Sequence, residues 1–261
     1  WKQMEDSEVA KLVDGIAGEV QDYLNKFYDI LCEKFFNVQK HRLEIKKEYV
    51  AKAGLWVAKK RYAQWIISNN GIPVDKLDVK GLDVKRSSFP KAFQDVMSDV
   101  LISILRGQTE EEISNRVMDF KKNMVSYNVV DVAKNSAVKN MTKYMPKKRQ
   151  PFEVTKGTPA HVKAAIAYND LLKHFNAPYK YQPMRDGDKI KWVYLKNNPF
   201  GLDSIGFTGY DDPIEIINFI ATYTDHSKIF ERELQGKLQD FYNAVGWGEV
   251  ISEQKKAEKF F

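Results

Sequence analysis

From Val9 to Leu31 apolar residues recur every third or fourth position: Val9, Leu12, Val13, Ile16, Val20, Tyr23, Leu24, Phe27 and Leu31. That period sets them along one stripe of an α-helix over residues 7–36, with Asp6 or Ser7 able to cap its start. A stripe of that length needs an apolar partner, and the next part of the chain is a set of short alternating segments. "HRLEIKKEYV" (41–50) sends Leu43 and Ile45 to one side and Glu44 and Lys46 to the other, the pattern of a half-buried strand. "LWVAKKRYAQWIIS" (55–68) reads as a second strand, Asn69-Asn70-Gly71 as the turn after it, and "KLDVKGL" (76–82) as a third strand. Strands joined by tight turns pair antiparallel. The first part of the chain is therefore predicted to be a small antiparallel sheet with a long helix.

Near residue 85 the pattern changes. Phe93, Val96, Met97, Val100, Leu101 and Ile104 mark one face of a helix that follows Ser87, Ser88 and Pro90 and stops at Gly107. Thr109 and Glu112 form a capping box for a second, with Ile113, Val117, Phe120 and Met124 inward. Thr158-Pro159 opens a third, through Val162, Ile166 and Leu172 to Phe175. "KIKWVYL" alternates after the Asp186-Gly187 turn, "SIGF" (204–207) is its candidate partner, and helices over about 213–223 and 226–243 lead to a charged tail. The fold class is α+β, divided into residues 1–85 and a mainly helical 86–261 with a short β section.

Composition narrows the chemistry. No apolar run approaches the roughly 20 residues that a membrane span needs, the N-terminus lacks the apolar core of a signal peptide, and it begins without Met, as a piece of a longer chain would. Cys32 is the single cysteine, so no internal disulfide can form, which fits a reducing, cytoplasmic setting; among Leu31, Phe35 and Phe36 it reads as a core residue. His41, His161, His174 and His226 are scattered and lack zinc-ligand spacing. Asp186 and Asp188 flank Gly187 as in a tight turn, and Asp211-Asp212 before Pro213 reads as a helix cap. Neither phosphate-loop pattern, G-x-x-x-x-G-K-S/T nor G-x-G-x-x-G, is present. Net charge is +6, yet residues 210–261 carry ten acids against six Lys or Arg, which leaves +10 on the first 209. A basic body of that kind points to a polyanion, nucleic acid first.

Three places could hold one. Lys59, Lys60 and Arg61 precede Tyr62 and Trp65; in a strand, Lys60 and Tyr62 share one face, placed to hold a phosphate and a sugar or base. The same residues also read as an edge strand protected by lysines. Lys85, Arg86, Ser87, Ser88 and Lys91 gather at a helix N-terminus, a natural phosphate seat, although capping alone would account for one serine. "KNMTKYMPKKRQ" puts Lys139, Lys143, Lys147, Lys148 and Arg149 around Tyr144 without an acid, either a nucleic-acid contact or a solvated linker.

Read together, these stretches resemble the replicative family B DNA polymerases of large tailed phages. "AKKRYA" (58–63) is similar to their Lys-x-Tyr strand motif, and "LEIKKEYV" (43–50) to the palm strand before it. "VKGLDVKRSSFPKAFQ" (79–94) resembles the palm-to-thumb junction, and "GTPAHVKAAIAYN" (157–169) and "NNPFG" (197–201) resemble thumb segments. The resemblance implies the end of the palm over 1–85 and a thumb over 86–261. Lys60 and Tyr62 would then meet the primer terminus, Lys59 and Arg61 would support them, and Lys85, Arg86, Ser87 and Ser88 would touch the duplex backbone.

The family's two metal-binding aspartate motifs, its fingers lysine motif and its exonuclease motifs are absent. The resemblance therefore implies a non-catalytic piece, with two divalent metal ions (Mg) present only in the completed polymerase. Its partners would be primer–template duplex DNA and an N-terminal fragment carrying exonuclease, fingers and the rest of the palm, docked on an exposed strand edge and apolar patch. A sliding clamp is a further candidate partner, through Phe260 and Phe261 of the "KKAEKFF" tail, where charge replaces most of the family's apolar peptide. The alternative is a free-standing nucleic-acid-binding or regulatory module derived from a polymerase thumb.

Overall fold

A computed structural model describes residues 4–43, 45–177 and 180–251. They form two compact units: residues up to Leu82 with Ile104–Gly107, and Asp83–Ser103 with the chain from Gln108 onward. Phe260 and Phe261, and Glu44 of the 41–50 stretch, lie outside the described residues.

In the first unit α1 (Asp6–Phe36) forms as its period requires, but Glu5, not Asp6 or Ser7, caps it through a reciprocal box with Glu8. Of its apolar stripe, Val9 alone is buried among the described residues. Val9 packs with Val50 and Ile67, flanked by Met4, Val13 and Trp65. Farther along, Leu12, Ile16, Val20, Tyr23 and Phe27 are 45–68% exposed, and Cys32 is half-buried, not a core residue. The predicted strand over 41–50 is corrected: pairing begins only at Tyr49. The preceding stretch runs beside α1. There the His41 amide donates to Asp29 Oδ1 (2.9 Å), the His41 ring lies 5.7 Å from that of Tyr28, and Lys47 pairs with Asp14. Alternation makes a strand only where a neighbouring backbone receives its amides, and the neighbour here is a helix, whose backbone is already paired.

The predicted second strand is in fact the turn and arms of a hairpin: β1 (Tyr49–Ala58), Lys59-Lys60, β2 (Arg61–Asn69). Asn70 and Gly71 make the next turn, both with positive φ (50° and 83°), into β3 (Ile72–Lys80), which starts earlier than predicted. Strand order is β1-β2-β3, antiparallel. Leu55, Ala63 and Val79 stand in one cross-strand row, 2%, 0% and 8% exposed, and form the buried face.

In the second unit, a 3-10 turn (Asp83–Lys85) leads toward α2 (Lys91–Leu105), and α3 (Glu110–Asn123) begins with the predicted Thr109–Glu112 capping box. A short helix, α4 (Val129–Val132), precedes β4 (Lys134–Ala137), a strand that neither alternation nor β-branched residues announce. β4 pairs antiparallel with β5 (Lys189–Tyr194), and β5 with β6 (Ser204–Phe207). Helix α5 (Ala160–His174) packs on this sheet and buries Val162, Ala165, Ile166 and Leu172. After α6 (Ile214–Tyr223) comes α7 (His226–Ile229), a π turn (Phe230–Gln235) and α8 (Gly236–Ala244). Phe93, Phe230, Phe241 and Tyr242 are fully buried, each such side chain contributing roughly 1.5–3 kcal/mol. Asp212 does not cap α6; its carboxylate accepts from the amides of Thr208 and Gly209 and closes the preceding turn. No helix among the described residues is long and apolar enough to cross a membrane.

Candidate nucleic-acid interface

The hairpin tip of the first unit carries the cationic triplet. Lys59 and Lys60 are exposed and no described residue pairs with either; Lys60 has φ 63°. A left-handed L-residue costs roughly 1–2 kcal/mol, so Gly or Asn is the physical default there. The alternation that would set Lys60 and Tyr62 on one strand face does not apply, because Lys60 is a turn residue. Tyr62 instead aligns with two residues not anticipated from the sequence, Trp56 on β1 and Lys80 on β3. Trp56 is 62% exposed and its ring lies over Gly54, where a Cβ would come within 2.4 Å of it. The row Trp56–Tyr62–Lys80 thus lies on the face opposite the buried row, beside a tip bearing Lys59, Lys60 and Arg61. Counting back across a two-residue turn would have given Val57; a register shift between Trp56 and Ala58 sets Trp56 opposite Tyr62 instead.

Gly81 follows that row. Its φ is 65°, and a Cβ on it would stand 2.2 Å from the Lys60 carbonyl oxygen. The end of β3 therefore passes against the backbone of the tip, an approach open only to glycine.

The second unit carries the serine segment. Lys85, Arg86, Ser87 and Ser88 are exposed. Arg86 Nη1 donates to Asp83 Oδ1 (2.7 Å), and Lys237 pairs with the other oxygen of that carboxylate. Gln94 Nε2 donates to the carbonyls of Arg86 (3.0 Å) and Phe89 (2.8 Å). Neither serine caps α2: no described residue engages their hydroxyls or receives their amides. Lys91 opens α2 and pairs with Asp95. Lys147 and Lys148 are exposed after a 3-10 turn (Met141–Tyr144), whereas Arg149 does not join them. Its guanidinium pairs with Asp170, and its side chain is 14% exposed. Among the described residues no three His, Cys, Asp or Glu side chains converge as a metal site requires. These residues therefore do not fit a metal pair.

Comparison with known proteins gives a consistent set. The sequence model of DNA polymerase family B matches residues 17–235. The chain is 23% identical over 240 residues to the DNA-directed DNA polymerase of Enterobacteria phage T4, covering 87% of this chain and 26% of that protein. It is 25% identical over 247 residues to the DNA-directed DNA polymerase of Escherichia phage RB69, covering 88% and 25%. A shorter stretch of 90 residues, 34% of this chain and 6% of the relative, is 37% identical to a DNA polymerase alpha catalytic subunit from Saccharomyces cerevisiae. The chain spans about a quarter of the length of the two phage relatives.

Proposed function

This chain belongs to DNA polymerase family B, and we propose that it is the part of such an enzyme that grips primer–template duplex, its first unit ending the palm and its second forming the thumb. The observation that carries the reading is Lys60: a lysine kept in a left-handed turn where glycine is cheaper, beside a row of exposed Trp56, half-buried Tyr62 and Lys80, which pairs with Asp78. Backbone strain of this kind marks positions whose side chain is used. Lys59, Lys60 and Arg61 would hold phosphates, while Tyr62 and Trp56 offer aromatic surface to a sugar or base. Lys85, Arg86, Ser87, Ser88 and Lys91 would form a separate contact to the duplex backbone, with Lys147 and Lys148 as outlying cations.

Metal-binding aspartates would come from polymerase sequence outside this chain, on the same polypeptide or a partner. The long exposed stripe of α1 supports that arrangement over the free-standing module, since a folded monomer seldom leaves so many large apolar side chains uncovered in one row.

The test is affinity of the chain for primer–template duplex against single-stranded DNA over a salt series. With three phosphate contacts at the tip, affinity should fall roughly forty-fold between about 50 and 200 mM salt, with duplex preferred. Lys60→Gly should lower the salt slope by about 0.9 while leaving the unfolding midpoint unchanged or slightly higher. An unaltered slope would reduce Lys60 to a solvated turn residue. Equal affinity for single strands would remove the duplex reading.

A further inference from the structure

In the second unit an open cavity of about 370 Å3 separates the Ser87-Ser88 segment from the small sheet. Alternation in "KIKWVY" decides what faces it. Ile190 and Trp192 are 3% and 4% exposed, so Lys189 and Lys191 project from the opposite face of β5. Across β4 the register sets Asn135 beside Lys191. Lys191 is positioned without being neutralised: its Nζ donates to Asn135 Oδ1 (3.2 Å) and to the Val130 carbonyl (3.4 Å), both uncharged. Gly209, with φ 86°, leaves room for the lysine stem, since a Cβ there would lie 3.0 Å from Lys191 Cδ. Asn135 Nδ2 donates in turn to the Ser87 carbonyl (3.3 Å), tying the sheet to the serine segment. Thr208 closes the far end, its hydroxyl already donating to Asp212. Among the described residues no acidic side chain lines the cavity.

Two ammonium groups and two serines with disengaged hydroxyls and amides, with no carboxylate among the described lining residues, make a set of donors suited to an anion. We propose that this cavity seats the phosphodiester backbone of nucleic acid, with Lys189 and Lys191 on successive phosphates and the Ser87-Ser88 donors on their oxygens. The inference rests on the duplex-gripping reading above and adds the sheet lysines to it. Residues two apart on a strand are roughly 7 Å apart, a spacing close to that of neighbouring phosphates along one strand. Half-burial of Lys191 strengthens its pull on an anion relative to a fully solvated lysine.

The full chain would be titrated with primer–template duplex over a salt series as wild type, Lys189→Gln, Lys191→Gln and the double variant, with Lys60→Gly in parallel. Each lysine variant should lower the salt slope by about 0.9, and the double variant by about 1.8. Lys189 is exposed, so its variant remains informative should Lys191→Gln disturb the sheet. A double variant with the wild-type slope, while Lys60→Gly loses its share, would overturn this seat and leave the duplex reading standing. Slope lost in the double variant but kept in Lys60→Gly would support the seat and remove the hairpin contact. Inorganic pyrophosphate is the second probe. Binding of pyrophosphate that the double variant abolishes, with no form binding duplex, would overturn the proposal, since the cavity would then take a small diphosphate and not a polymer.

Discussion

Gly81→Ala is expected to destabilise the first unit by about 3 kcal/mol, from a left-handed alanine (roughly 1–2 kcal/mol) and overpacking against backbone (roughly 1–3 kcal/mol). The second contribution is the unusual one. The new Cβ would meet the Lys60 carbonyl oxygen at 2.2 Å, and that oxygen belongs to the hairpin tip, not to a flexible side chain. Relief requires either the tip or the end of β3 to move. Thermal unfolding should shift down by about 10 °C or more. Gly71→Ala is the control, with φ 83° at the other hairpin and nothing within 4 Å of its Cβ. It bears the conformational cost alone. If Gly81→Ala is no worse than Gly71→Ala, the close approach of β3 to the tip is not a constraint. If it is worse, Gly81→Ala should also weaken duplex binding through displacement of Lys59 and Lys60, an effect Gly71→Ala should lack.

That glycine shows where sequence reasoning stops. Gly81 stands in a legible motif, but its reason is a contact with residue 60 that only strand register reveals. The α1 period, the Asn70-Gly71 turn and the Thr109 capping box are local and were readable, because each depends on residues a few positions apart; β5 and β6 were readable from the alternation in β5 and the short apolar run that follows it. The Lys59-Lys60 turn was not, since a turn with φ above zero ordinarily announces itself with Gly or Asn, and here a lysine occupies the position. β4 was missed because "KNSA" has no period of its own and is a strand only through β5. Arg149 looked like one cation of a cluster until the fold brought Asp170 beside it. The same local reading could not show that Leu12, Ile16, Val20, Tyr23 and Phe27 of the α1 stripe would be exposed, because periodicity identifies a face and not what packs on it.

Asp83→Asn should destabilise the second unit by about 2 kcal/mol at neutral pH. Asp83 is 8% exposed, and its carboxylate accepts from Arg86 and pairs with Lys237, whose ammonium also lies 5.3 Å from the Phe89 ring. These contacts fasten the segment bearing Lys85 to Ser88 onto α8. Removing one member of a buried pair costs about 3–5 kcal/mol. Arg86 is 69% exposed and Lys237 about a third exposed, so solvent screening reduces that figure. Burial alone would raise the Asp83 pKa, but hydrogen bonds and charge from Lys237 and Arg86 outweigh it and hold the carboxyl below its ordinary value. With the folded pKa depressed, the stabilisation is present above the unfolded value of about 3.9 and is lost as pH falls through the folded one. The wild type and Asp83→Asn should therefore differ in unfolding midpoint at pH 7 and converge in acid, and the amides of Arg86 and Phe89 should exchange faster in the variant at neutral pH. A gap that persists in acid would show that lost packing, not charge, separates them; no gap at pH 7 would mean that the serine segment is held by Gln94 and the Phe89 side chain without the carboxylate.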